Sequence, residues 1–280
     1  QKRKVSELGK PIKDEPKDAA NLHINFELLH IETSLKNISG TSFNLGLNSV
    51  YNFKNKIGGE VTFRKSYVPQ GVKGHTQFGI GTFYNFASKT KVRDQKIVLD
   101  SKSVRKGGKD YTETTSIQVP SSVLKSFGVR FGMDYTSEFL EAELKYQNFV
   151  GDYRYQSTGV YFGYLYTSQM NTQIDTDSYG LAAHRFIRRY YVDGLIYPGK
   201  KITSIPGDVL HTGPKGEFFG WRAGVEFLSP EPRRVHKNSM YIKVEAGMRP
   251  LDGIYMVVAA GISFKRKLKS SSAYKQVRET

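Results

Sequence analysis

The chain has 280 residues, with 42 Lys and Arg against 26 Asp and Glu, for a formal net charge of +16. It contains no cysteine, which excludes a disulfide scaffold, a thiolate metal site, a cysteine nucleophile and a lipid-modified N-terminal cysteine. A mean hydropathy of −0.48 leaves no helical membrane span, since the longest nearly apolar stretch, 253–262, is about half the ~20 residues such a helix needs. With 18 Tyr and 17 Phe, however, the chain is too aromatic to be a disordered basic polymer.

The sequence starts at Gln1 with no apolar leader and reads as a mature form from which a signal peptide has been removed. Residues 1–21 are charged and Pro-containing and are expected to form a flexible arm. From there to 266 the pattern is alternation with period two, the mark of a strand with two unlike faces. Clear segments are Ile24–Lys36, Phe43–Phe53, Val61–Tyr67, Phe78–Phe86, Phe127–Tyr135, Glu138–Phe149, Tyr153–Thr167, Phe219–Phe227, Ser239–Arg249 and Ile254–Phe264. In the last of these Ile254, Met256, Val258, Ala260, Ile262 and Phe264 alternate with Tyr255, Val257, Ala259, Gly261 and Ser263. The stretches 88–120 and 178–197 alternate more weakly. Residues 267–280 are Ser- and Lys-rich and form a C-terminal tail.

A soluble sandwich alternates too, so periodicity alone leaves open which face is inside. Three features point to a membrane barrel. Gly-x-x-aromatic endings recur at Gly81–Tyr84, Gly132–Tyr135, Gly224–Phe227 and Gly261–Phe264, with Tyr84, Tyr135, Phe227 and Phe264 suited to an interfacial aromatic girdle. The segments run to about 10–14 residues, longer than ordinary soluble strands. The polar face carries glycine and charges of both signs. If the four endings mark one membrane face, strand parity requires one strand in 88–120 and one in 178–197. The expectation is an all-β, antiparallel transmembrane β-barrel over 22–266 with twelve strands and both termini periplasmic. Ten strands is the alternative if those two stretches are loops.

No catalytic or cofactor constellation stands out. His23 and His30 are seven apart, hence expected on opposite faces, and no histidine pair sits at a ligand spacing, so no metal site is expected. Gly79-Ile80-Gly81 lacks the helix a dinucleotide fingerprint needs, and Gly213-Pro214-Lys215-Gly216 lacks the P-loop ending. His236-Lys237-Asn238-Ser239 is the nearest approach to a hydrolase His–Ser pair and falls in a turn.

The charges divide into two groups. Arg130, Asp134, Glu141, Glu143, Lys145, Arg222, Glu226, Lys243 and Glu245 are expected to face the lumen, where mixed signs make an ion-paired plug rather than a selective pore. The excess positive charge lies elsewhere: in 89–109, in His184–Tyr191 and in the tail. Lys102, Arg105, Lys106, Arg185, Arg188 and Arg189 are candidate contacts for anionic lipid, such as lipopolysaccharide, or for partner proteins. In a soluble protein such residues would suit nucleic acid.

The strand–turn units Val50–Gly59 and Met133–Phe139, with the closing Ala260-Gly261-Ile262-Ser263-Phe264, resemble those of Bacteroidota-type outer-membrane β-barrel proteins. The resemblance spans 22–266; one departure is the tail after Arg266, where such chains usually end on the closing strand. It implies a Gram-negative outer-membrane location and a porin-like barrel or an accessory subunit of a secretion, gliding or barrel-assembly machine. The first functional expectation is a non-enzymatic barrel that anchors a subunit of an envelope complex. The alternatives are a channel for small anionic solutes and, from another class, a soluble nucleic-acid-binding β protein.

Overall fold

Strands with one apolar and one polar face must either pair their apolar faces in a two-layer core or turn them away from water. The computed structural model describes residues 10–14, 22–34, 41–53, 56–68, 72–144, 149–176, 180–204, 209–212, 218–229, 238–249 and 253–266. They form twelve strands: β1 (Lys10–Asp14), β2 (Leu22–Ser34), β3 (Ser42–Phe53), β4 (Ile57–Val68), β5 (Val72–Lys106), β6 (Lys109–Leu144), β7 (Phe149–Thr176), β8 (Gly180–Ser204), β9 (Val209–Thr212), β10 (Phe219–Ser229), β11 (Asn238–Arg249) and β12 (Gly253–Arg266). From β2 to β8 each strand pairs antiparallel with the next, β8 pairs with β10, and β12 returns to β2, closing a ten-stranded barrel. The short β1 and β9 are added at the edges of β7 and β8.

The count is the alternative one, ten, in place of the expected twelve. Residues 178–197 do contain a strand, β8, but 88–120 does not supply a separate one. It is the distal part of one long hairpin, in which β5 and β6 stay paired from Thr76↔Ser137 to Lys106↔Lys109. The hairpin closes on Gly107 and Gly108 with φ of 61° and 77°, the left-handed pair that a two-residue turn of matching twist requires. Likewise Phe127–Tyr135 and Glu138 onward are one continuous strand, β6. The Gly132–Tyr135 ending therefore runs opposite to the other three and points to the barrel end where β5 begins. Of the expected arm, residues 10–14 form β1; the rest of it and the tail 267–280 lie outside the described residues.

The barrel is inside-out relative to a soluble core. Phe131, Phe162 and Val258 are 52%, 57% and 45% exposed on the outer wall, while their strand neighbours Arg130, Tyr161 and Val257 are buried. This rules out the sandwich, in which the apolar faces would be covered. Lumen-facing glycines seat aromatic rings from the next strand. Tyr161 lies over its register partner Gly132, where a Cβ would come within 2.5 Å of the ring, and Tyr191 lies over Gly224 in the same way.

Beyond the barrel, β5 and β6 continue past Asn85 and Gly128, and β7 and β8 continue past Thr167 and Arg189. At about 3.3 Å per residue the longer hairpin reaches at most ~70 Å past the wall. Ile97, Leu99, Ile117 and Val119 of this hairpin pack on Ile174 of β7 in a separate small core. These projecting hairpins make a platform at the end where β2 starts and β12 finishes.

Candidate functional site

The interior is organised by strand parity, which turns every second residue inward, so each polar residue there must find a partner from another strand. Glu60 of β4 sits at the centre. It accepts hydrogen bonds from Tyr161 Oη at 2.9 Å and Arg189 Nη2 at 2.9 Å, and a close one from Arg130. Arg189 spans to Glu226 with its other nitrogen at 2.8 Å. Arg222 donates to Asp193 at 2.7 Å and lies 3.6 Å from Asp134, while Arg64 grips Glu27 through two bonds of 2.6 and 2.9 Å and reaches Gln77. Lys243 pairs with Glu245 at 2.9 Å, and Tyr191 and Tyr255 donate to the same carboxylate. Arg130 and Arg222 also lie over the rings of Tyr191 and Tyr161, each at 4.3 Å. Charged groups are buried with partners on several walls, and these side chains leave a cavity of about 30 Å³, room for a water or two.

Arg130, Asp134, Arg222, Glu226, Lys243 and Glu245 line that cavity. Glu141 and Glu143 lie near the end of β6, where only the backbone is described, and Lys145 lies outside the described residues. Glu60, Arg64 and Asp193 join the lumen network without being among the expected lumen charges. Glu60 and Arg64 were legible: they alternate with Val61 and Phe63, so parity alone turns them inward. Arg189, expected at lipid or a partner, is instead buried between Glu60 and Glu226, because adjacent strand residues point to opposite faces and Arg188 takes the outer one.

Arg188 lies 4.6 Å over the Phe186 ring, and Arg185 is half-buried, which pulls its guanidinium below the ordinary arginine range. Lys102 and Arg105 are exposed near the hairpin tip; Lys106 ends β5 opposite Lys109. Among the girdle candidates Tyr84 and Phe264 are exposed, and Tyr135 and Phe227 are half-exposed. Phe227 belongs to a cross-strand row with Tyr190, Tyr166 and Phe127, at ring separations of 6.4, 5.8 and 4.8 Å, which skirts the junction of barrel and platform.

At the opposite end of the barrel, Glu32, His75 and Glu138 bring ligand atoms within 4.8 Å of one another. His23 and His30 were expected on opposite faces, yet both are buried inside. On the β3 side Leu28 and Leu29 of β2 stand against Leu45 alone, and on the β12 side Leu28 is skipped between the pairs Ala260↔Leu29 and Gly261↔Glu27. That bulge leaves Leu28 and Leu29 both exposed and reverses the parity, so that His30 points in. Comparison with protein-family models gives no match, and a search of curated proteins gives none either.

Proposed function

We propose that the chain is a non-enzymatic integral outer-membrane β-barrel of the Bacteroidota type that anchors an accessory subunit of a multi-protein envelope complex. The observation that carries this reading is the inversion of the barrel wall: large apolar side chains bare on the outside, paired charges packed within. A continuous apolar belt of this extent needs a hydrocarbon environment, and the aromatic row at its lower edge suits the membrane interface. The small, ion-paired interior favours an anchor over a channel for anionic solutes. Solute passage would require the Glu60 and Asp193 networks to part.

The docking element in this reading is the platform. It stands at the same end as Leu22 and Arg266, so with periplasmic termini its basic edge and tip meet partner proteins or the cell-wall polymer, and lipopolysaccharide lies on the other side. Extraction from native membranes in mild detergent, followed by measurement of particle mass and composition, tests the proposal. A large hetero-complex that survives washing is the expected result. A lone barrel would defeat the subunit reading, and recovery in the soluble fraction would defeat the membrane reading.

A further inference from the structure

At the barrel end away from the platform, three buried side-chain atoms without a hydrogen-bond partner converge. Glu32 Oε2 lies 3.7 Å from His30 Nε2 and 3.9 Å from His75 Nε2, and all three are buried and unsatisfied. Each would ordinarily be bonded, because an unmade hydrogen bond in a buried site is costly. Their geometry has a specific form. His30 Nδ1 is 3.1 Å from Glu27 Oε2, and His75 Nδ1 is 3.0 Å from Glu138 Oε1. An ionised carboxylate only accepts, so each ring donates from Nδ1 and presents its Nε2 edge to Glu32. Arg249 takes the other oxygen of Glu32, Oε1, and leaves Oε2 open. Carboxylate–histidine pairs of this kind fix the tautomer and orientation of imidazoles that ligate metal ions.

We propose that Glu32 Oε2, His30 Nε2 and His75 Nε2 form a binding site for a divalent transition-metal ion of the zinc type, with Glu27 and Glu138 as positioning residues. Bonds of about 2.0–2.2 Å in tetrahedral array put ligand atoms about 3.4 Å apart, and Glu32 Oε2 stands 3.7 and 3.9 Å from the two imidazole nitrogens. A fourth position is open to water or to a second oxygen of Glu138. Because β2 and β5 are separated by β3 and β4, an ion held by His30, Glu32 and His75 ties two non-adjacent walls together and closes this mouth of the barrel. The β2 bulge is what makes the site, since without it His30 would face outward.

The test is titration of the purified, chelator-treated full chain in detergent micelles with Zn²⁺ by calorimetry and with Co²⁺ by visible absorption. One ion per chain, with the intense d–d bands of a tetrahedral cobalt centre, is expected. His75→Gln and Glu32→Gln should each abolish the bands, and Glu138→Gln should weaken binding about 10–100-fold while keeping them. His184→Gln, on the platform, should change nothing. Folding of each variant is checked by its heat-dependent gel mobility; if His75→Gln misfolds, Glu138→Gln still decides the matter. Absence of saturable binding in the wild type, or equal binding in the wild type and the Glu138 variant, would overturn the proposal and leave the cluster a proton-shared ion pair.

Discussion

The barrel and the platform are built from the same strands and obey opposite rules. In β6, Phe127, Phe131 and Met133 are exposed on the outer face of the wall; on that same parity further along, Ile117 and Val119 are buried. In β7, Phe162 and Tyr164 are exposed, and Met170 and Ile174, on the same face, are buried. Where the strands leave the barrel, the apolar face ceases to be bare and folds against protein: Ile97, Leu99, Ile117 and Val119 onto Ile174. In the membrane reading proposed above, the covered stretch meets water and the open one meets lipid. The aromatic row Phe127–Tyr166–Tyr190–Phe227 stands at the changeover.

The comparison breaks most severely if the interior loses a shared partner. Glu60→Ala would remove the carboxylate that Arg130 and Arg189 share and leave them with Asp193 and Glu226 alone, at a cost of about 3–5 kcal/mol, read from urea unfolding of the barrel in vesicles. A loss below about 1 kcal/mol would mean that the network is wet and loosely held. Next comes a paired test of the two solvents. Val258→Arg on the outer wall should cost about 2–4 kcal/mol in a bilayer and far less in detergent that deforms around it. Val119→Arg in the platform core should destabilise the hairpins equally in both. Equal penalties for Val258→Arg in the two media would remove the case for lipid on that face. Gly224→Val, which would drive a side chain into the Tyr191 ring, should cost about 1–3 kcal/mol by the same unfolding measurement and leave the platform untouched.

Fold class was legible because alternation survives in almost every strand: Met240, Ile242 and Val244 outward against Tyr241, Lys243 and Glu245 inward is readable by eye. Two kinds of information were not. Parity is relative, so a single bulge at Leu28–Leu29 hid the inward turn of His30 and with it the cluster around Glu32. Nothing in the sequence of β2 itself announces a bulge, since a bulge is defined by its partners. The second is strand length. Taking all four Gly-x-x-aromatic endings to mark one face split β6 in two and assigned 88–120 a strand of its own, whereas Gly132–Tyr135 runs the other way and the alternation is weak in 88–96, where Lys89, Lys91, Arg93 and Lys96 are exposed and pairing, not burial, sustains the strand. The Tyr–Gly contacts across the lumen also depend on register, which one chain read alone does not fix.

The smallest effect separates the two regions by pH. His184 sits in the platform, opposite Thr172 and 6.0 Å from the Phe186 ring. Burial, and secondarily the charge of Arg188, pull its imidazole below the ordinary histidine value of 6.5. The folded platform therefore binds fewer protons at this residue than the unfolded chain, and its stability rises with pH. The contribution is fully present above the unfolded value and is lost as pH falls from about 6.5 through the lowered one. Hydrogen exchange at 180–188, corrected for intrinsic rates, should quicken between about pH 7 and about pH 5, and His184→Gln should flatten that dependence. If the glutamine variant opens with the same pH profile, the sensitivity belongs to another group. If the exchange of β11 and β12 changes in step with 180–188, the barrel and the platform open as one unit, and the boundary drawn at the aromatic row does not divide their stability.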